Sequence, residues 1–144
     1  MIRFVRVVVD ASVWVSRIVP RDVHYEASSL WAAEYTKVGG FLIAPTLLLI
    51  EVAASLSRLQ EPGDLSKRVV AQLNKSNEIV FAFLDSSLVQ IAVDVAADLQ
   101  LRAADATYVA LAYQRGIPLV SWDKEQLQRA SSIIKTYSPD AYPF

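Results

Sequence analysis

The sequence contains no cysteine and only one histidine, His24. The lack of cysteine excludes disulfides, thiolate metal sites and cysteine nucleophiles, and it is compatible with a reducing compartment. A single histidine cannot build a multi-histidine zinc site. No glycine-rich phosphate loop follows the first apolar segment, which argues against a nucleotide-binding fold. The ligands left for a metal ion are therefore oxygens.

The chain also lacks an excess of basic residues, since its 144 residues carry a net charge of −1. Nucleic-acid binding would have to rely on a local patch or on metal ions. The start of the chain shows no signal-peptide pattern. The most apolar stretch, 41–56, contains Pro45 and Glu51 and is shorter than the roughly 20 residues of a membrane span. We therefore expect one soluble domain over residues 1–144, with no membrane association.

Strand and helix patterns alternate along the chain. Short apolar runs predict strands at 4–9, 41–44, 79–84, 118–121 and 132–136. Helical spacing and cap residues predict helices at 12–17, 24–37, 45–59, 65–74, from 85 onward, at 103–115 and after Asp123. This alternation predicts an α/β fold, a three-layer α/β/α sandwich with a mostly parallel central sheet.

Four acids stand at positions where such folds place their chemistry. Asp10 and Asp123 directly follow predicted strands, Asp105 lies in the first turn of a helix, and Glu51 lies about two turns into an otherwise apolar helix. Ligands of open parallel sheets bind outside the carboxyl ends of the strands. Carboxylates packed there stay ionised only around a cation, and oxygen ligands favour Mg²⁺ or Mn²⁺. The fitting chemistry is phosphodiester or phosphomonoester hydrolysis.

Each acid also has an ordinary structural explanation. Asp10 is a common residue in turns after strands, and Asp105 complements a helix dipole. Asp123, with Gln126 three residues on, forms a capping box. Glu51 would need to pair with a buried arginine or face a groove. Taken together, the placement of the four acids favours a site.

The residues around these acids form four short motifs in a fixed order. They are Val-Val-Val-Asp-Ala-Ser at 7–12, Pro45 with Glu51 six residues later, Leu-Arg-Ala-Ala-Asp-Ala at 101–106 followed by Tyr-Val-Ala-Leu-Ala at 108–112, and Leu-Val-Ser-Trp-Asp at 119–123. The set resembles the PIN domain family, in particular the VapC-type ribonucleases of toxin–antitoxin pairs. Two departures are Ser121, where threonine is commoner, and the bulky Trp122.

The resemblance implies a cytoplasmic endoribonuclease that acts with Mg²⁺ or Mn²⁺. It places the metal among four carboxylates, those of Asp10, Glu51, Asp105 and Asp123. The hydroxyls of Ser12 and Ser121 would orient carboxylates or water. The resemblance further implies an RNA substrate, a homodimer, and inhibition by a cognate antitoxin that inserts a basic side chain into the acidic pocket.

Other side chains are candidates for RNA contacts. The cations closest in sequence to the acids are Arg17, Arg21, Arg102 and Lys124, and for any single one of them an ordinary surface charge is the favoured explanation. The aromatic residues Trp14, Trp31 and Tyr35 either stack bases or, as their helical spacing favours, belong to the core or a dimer interface. We expect His24 to be a surface helix residue.

Two alternatives remain from other functional classes. The first is a non-catalytic PIN-like interaction module that keeps its acids without cutting RNA. The second is another metal-dependent phosphoryl hydrolase. Phosphatases that form an aspartyl phosphate usually begin with Asp-x-Asp, and Asp10-Ala11-Ser12 lacks the second acid.

Overall fold

The computed structural model describes residues 3–59 and 62–144 and has the expected α/β/α architecture. The described residues form one parallel sheet in the order β3-β2-β1-β4-β5. Its strands are β1 Arg6–Val9, β2 Phe41–Pro45, β3 Ile79–Ala82, β4 Leu119–Val120 and β5 Thr136–Tyr137. The helices are α1 Ala11–Ile18, α2 Tyr25–Lys37, α3 Leu47–Arg58, α4 Gly63–Lys75, α5 Ser86–Leu99, α6 Ala103–Arg115 and α7 Lys124–Ala130. A short 3₁₀ helix, Pro139–Ala141, follows β5.

Strand β1 lies at the centre of the sheet. Its residues Val7, Val8 and Val9 are almost completely buried, as a strand covered on both faces requires. The strand pairs with β2 on one side and β4 on the other. Because all strands run in the same direction, the residues that follow β1, β2 and β4 emerge at one edge of the sheet.

Helix α6 packs against the middle of the sheet. All seven residues from 106 to 112 are buried, and alanine recurs among them, which lets the helix lie close to the strands. The helix ends at Gly116, whose φ of 64° is the left-handed conformation that glycine adopts easily. The observed bounds, Ala103–Arg115, are those predicted from the sequence.

Several other boundaries differ from the prediction. Strand β1 begins at Arg6 rather than at residue 4, and β3 ends at Ala82, which leaves Phe83 and Leu84 exposed. The predicted strand at 132–136 is largely a turn, because the N–H groups of Ile133 and Ile134 both donate to the carbonyl of Ala130 and prolong the end of α7. The strand itself, β5, begins at Thr136.

The helices of the described part of the chain are short. The longest, α5, has 14 residues. Within residues 3–59 and 62–144, no helix combines the length and the apolar character that crossing a bilayer requires.

The aromatic residues of α1 and α2 lie in the core and are not available to stack bases. Trp14, Trp31 and Tyr35 are at most 3% exposed. The rings of Trp31 and Tyr35 stack at 5.3 Å, and the Tyr35 hydroxyl donates to the Phe4 carbonyl at 2.7 Å. Gly40 lies against this tyrosine ring, because a Cβ built there would stand 2.3 Å from Tyr35 Cε1.

We predict that Gly40→Ala destabilises the protein by about 1–3 kcal/mol, because the new methyl group collides with a ring that the core holds in place. Urea denaturation would measure the loss in the free energy of unfolding. The matched control is Gly63→Ala at the start of α4, where an added Cβ meets nothing within 4 Å. Equal stability of Gly40→Ala and the wild type would contradict this description of the core.

Candidate metal centre

The four predicted acids surround one open cavity at the carboxyl edge of the sheet. The cavity has a volume of about 320 Å³. Its lining includes the predicted acids and several neighbours: Asp10, Ser12, Asp22, His24, Glu51, Arg102, Asp105, Trp122 and Asp123. Asp10 follows β1 and Asp123 follows β4, so the two central strands deliver them to the same edge. Glu51 is the fifth residue of α3 and thus lies one turn into the helix, not two as expected.

Asp10 is the most constrained of the four acids. It is 6% exposed, and its Oδ2 atom accepts hydrogen bonds from the Ser12 N–H at 3.0 Å and the Ser121 hydroxyl at 3.2 Å. Asp10 therefore caps α1. Burial raises the pKa of Asp10, and the hydrogen bonds from the two serines oppose that rise.

Two serine hydroxyls join the turn after β1 to the turn after β4. Ser121 Oγ accepts the Asp123 N–H at 3.0 Å, and Ser12 Oγ accepts the Trp122 N–H at 3.0 Å. The two hydroxyl oxygens lie 3.3 Å apart. Because Ser121 also donates to Asp10, this network fixes the Asp10 carboxylate relative to the backbone of Asp123.

The side chains of Glu51 and Tyr108 face each other beside the cavity. Burial raises the pKa of Glu51, the nearby Tyr108 hydroxyl lowers it, and the charges of Asp10 and Asp105 raise it further. Burial and the facing Glu51 carboxylate raise the pKa of Tyr108. The Tyr108 hydroxyl and the Glu51 carboxylate do not form a hydrogen bond of ordinary geometry. Glu51 Oε1 and Tyr108 Oη are both buried without a hydrogen-bond partner among the described residues.

Tyr108 received no role in the sequence analysis. A signal was present, because Tyr108 follows Asp105 by three residues on α6 and positions three apart share a helix face. The alternative explanation of Glu51, pairing with a buried arginine, is wrong for the residues described here. Glu51 forms no salt bridge among them, and Arg58 attracts it only weakly from two turns further along α3.

Arg102 is the cation at the mouth of the cavity. Its Nε lies 3.2 Å from Asp105 Oδ2, and its Nη2 lies 3.9 Å from Asp123 Oδ2. Burial and the charge of Asp10 raise the pKa of Asp105, and Arg102 opposes that rise. Asp123 Oδ1 accepts the Gln126 N–H at 3.1 Å, so Asp123 caps α7 as the sequence predicted. Its Oδ2 atom is the one that approaches Arg102.

Three of the four predicted cations lie away from the cavity lining. Arg17 stacks over Trp14 at 4.9 Å and lines a separate cavity with Gly40, near the amino end of β2. Helix α1 carries Arg17 about 10 Å, seven residues of helical rise, away from Asp10, and a part for Arg17 in RNA contacts stays a prediction. Arg21 donates to the Leu59 carbonyl at 3.0 Å. Lys124 is exposed in the first turn of α7.

His24 lies beside the acids rather than on a helix surface. It precedes α2, its backbone N–H donates to Asp22 Oδ1 at 2.8 Å, and its ring stacks on Trp122. No local sequence pattern could predict this contact, because His24 and Trp122 are almost 100 positions apart. Our expectation that His24 is a surface helix residue is therefore wrong.

The donor set fits a hard divalent cation. The four predicted carboxylates and that of Asp22 line one cavity, three of the predicted acids have raised pKa values, and Glu51 Oε1 is a buried acceptor without a donor. A cation would offset each of these costs. As the side chains are placed, no three acidic or imidazole groups in the described ranges stand close enough to hold one ion together. Metal binding would therefore bring the carboxylates closer to one another.

We predict that Glu51→Gln stabilises the metal-free protein at about pH 8. Because the pKa of Glu51 is raised, the folded state binds protons more tightly than the unfolded state. The free energy of unfolding therefore falls as pH rises from the unfolded-state pKa of Glu51 through its folded-state pKa. The amide carries no charge, so we expect a gain of about 1 kcal/mol in chelator at pH 8 and none at about pH 3. Urea denaturation at both pH values measures this.

The same variant should respond less to metal. Added Mn²⁺ should stabilise the wild type more than Glu51→Gln, because the variant lacks one charged ligand. The control is Glu34→Gln, an exposed acid on α2, which should match the wild type in both respects. A Glu51→Gln protein that is less stable than the wild type at pH 8 without metal would argue against a strained carboxylate here.

Comparison with known protein families gives one clear match. The sequence pattern of the PIN domain family, described as "PIN domain", matches residues 7–132. That range contains all four acids of the cavity and both serines. No curated protein matches the sequence significantly.

Solved structures share the fold over nearly the whole chain. VapC20 of Mycobacterium tuberculosis, described as a toxin that cleaves the sarcin-ricin loop, has a TM-score of 0.74 and 18% identity, covering 95% of this chain and 99% of its own. VapBC2 of Rickettsia felis, bound to a fragment of its promoter DNA, has a TM-score of 0.72 and 9% identity, and the match covers 92% of this chain and 98% of that chain. PAE2754 of Pyrobaculum aerophilum has a TM-score of 0.60 and 25% identity, and the match covers 91% of this chain and 90% of that chain.

Proposed function

The chain belongs to the PIN domain family, and we propose from this premise that it is a metal-dependent endoribonuclease, the toxin of a type II toxin–antitoxin pair. It would hydrolyse RNA phosphodiester bonds in the cytoplasm with Mg²⁺ or Mn²⁺. We further propose that residues 1–144 form a single domain, because the sheet pairs strands from both ends of the chain.

The observation that carries this proposal is the shared cavity of Asp10, Glu51, Asp105 and Asp123. A cavity lined by carboxylates repels a phosphodiester unless a cation lies between them. The same carboxylates are the ligands that Mg²⁺ and Mn²⁺ prefer. The arrangement therefore suits phosphate chemistry that depends on a divalent ion, and it suits metal-free chemistry poorly.

The surrounding residues have distinct proposed roles. Asp10 is the fixed ligand, because Ser12 and Ser121 hold its carboxylate. Ser121 thus acts by positioning Asp10 and the backbone of Asp123. A bound Mg²⁺ or Mn²⁺ would supply an activated water and neutralise charge on the phosphoryl group. Arg102 would leave the carboxylates that the metal then occupies and bind a phosphate with its planar guanidinium group.

The proposed partners are a cognate antitoxin and a second copy of the chain. A solved structure from Klebsiella pneumoniae that shares the fold is a toxin–antitoxin complex, and a cognate antitoxin for this chain is inferred from that likeness. Exposed apolar side chains support a protein partner: Ile50 is 68% exposed and Phe83 is 79% exposed. Such side chains, when grouped, mark protein interfaces.

We predict that Asp105→Asn lowers RNA cleavage by about 100-fold or more, even with saturating Mn²⁺, because it removes one charged ligand and nearly preserves the side-chain shape. Cleavage of a labelled RNA mixture on a denaturing gel measures this. The matched control is Asp98→Asn, an exposed acid of α5 that does not line the cavity. It should cut at the wild-type rate.

Other outcomes would favour the alternative functions. Wild-type rates for Asp105→Asn would remove Asp105 from the site. A wild type that binds Mn²⁺ yet cuts no RNA would favour the non-catalytic interaction module. Release of phosphate from small phosphomonoesters, without RNA cleavage, would favour another metal-dependent phosphoryl hydrolase.

A further inference from the structure

A stacked pair of rings forms one wall of the acidic cavity. The imidazole of His24 and the indole of Trp122 lie 3.8 Å apart with 7° between their planes. Both residues line the cavity together with Asp10 and Asp105. Trp122 precedes Asp123 in the chain, so its Cα lies about 3.8 Å, one Cα step, from the Cα of a proposed metal ligand.

Hydrogen bonds hold both rings in place. The indole Nε1–H donates to Ser28 Oγ at 2.7 Å, and this buried hydroxyl lies 2.6 Å from Ser16 Oγ. The Trp122 backbone N–H donates to Ser12 Oγ. The loop that carries His24 is fixed through Asp22, which accepts the His24 N–H. The pair is therefore ordered before any ligand binds.

Packing alone does not account for this pair. Trp14 and Trp31, the other tryptophans, are 3% and 2% exposed and serve the core. Trp122 and His24 are only half-buried and border a cavity whose other walls carry five carboxylates. An aromatic wall offers a flat π surface, so it can hold a neutral ring where the acids would repel an anion.

We infer that the His24–Trp122 pair is a nucleobase-stacking platform that holds a base next to the phosphodiester at the carboxylates. This inference rests on the proposed ribonuclease function and adds a base subsite to it. A phosphate at the acids brings its own nucleoside within reach of the adjoining wall. Stacking is tolerant of sequence, because every base presents a π face to an aromatic ring.

The first test couples a change in the protein to a change in the RNA. After the cleaved bond of a single-stranded oligonucleotide is mapped, the base on each side is replaced in turn by an abasic site. At one of the two positions we expect kcat/KM of the wild type to fall about tenfold. On the natural RNA, Trp122→Ala should lower kcat/KM by a similar factor. On the RNA with that abasic site, the kcat/KM of Trp122→Ala should equal that of the wild type.

Two control variants separate stacking from folding. Trp122→Phe keeps an aromatic face and should retain most of the base dependence. Tyr113→Ala removes an exposed aromatic side chain of α6 outside this cavity and should behave as the wild type. Equal losses for Trp122→Ala on natural and abasic RNA would overturn the platform, because the loss would then not depend on the base.

The second test does not require cleavage. In an Asp105→Asn background with Mg²⁺, binding of a single-stranded RNA should quench tryptophan fluorescence through Trp122, because the other two tryptophans are buried. Oligonucleotides made entirely of abasic sites should not quench it, and Trp122→Phe should abolish the signal. Bound RNA without base-dependent quenching would overturn the platform. If the wild type cuts no RNA, the proposed function fails, and the quenching experiment still decides whether the rings bind bases.

Discussion

Burial of the carboxylates of Asp10, Glu51 and Asp105, reinforced by the negative charges of neighbouring acids, is the constraint on which the site depends. Their pKa values are raised by burial, and each of the three feels the negative charge of at least one other acid in the cavity. Without a cation, this cluster costs the folded protein free energy. The fold retains the cluster because the packing of β1 and α6 holds Asp10 and Asp105 in place. A divalent ion bound among the carboxylates would lower this free-energy cost.

Each of these carboxylates has a different neighbouring side chain that contacts it. Ser12 and Ser121 fix Asp10, Tyr108 faces Glu51, and Arg102 lies against Asp105 at the mouth. The fixed acid lies deepest and the exposed cation lies outermost. This order suits a site in which the metal enters between the acids and a phosphate follows it toward Arg102. The stacked rings of His24 and Trp122 then complete the wall that an attached base would meet.

Much of this could be predicted from the sequence, because its signals are local. Family membership and the α/β/α fold are confirmed, and helix α6 has the predicted bounds because Gly116 and a long apolar stripe define it. Asp10 and Asp123 reach one edge because they directly follow parallel strands. What the sequence did not indicate depends on contacts between distant segments. The His24–Trp122 stack and the facing of Glu51 and Tyr108 arise only when segments far apart in the chain come together.

The most direct test of the account is a crystal structure of the wild type soaked with Mn²⁺, with anomalous diffraction to locate the ion. The account predicts an anomalous peak inside the cavity, with Asp10 as a direct ligand and Glu51, Asp105 or Asp123 completing the shell directly or through water. A peak only at another place on the surface, or none in the cavity at saturating Mn²⁺, would contradict it.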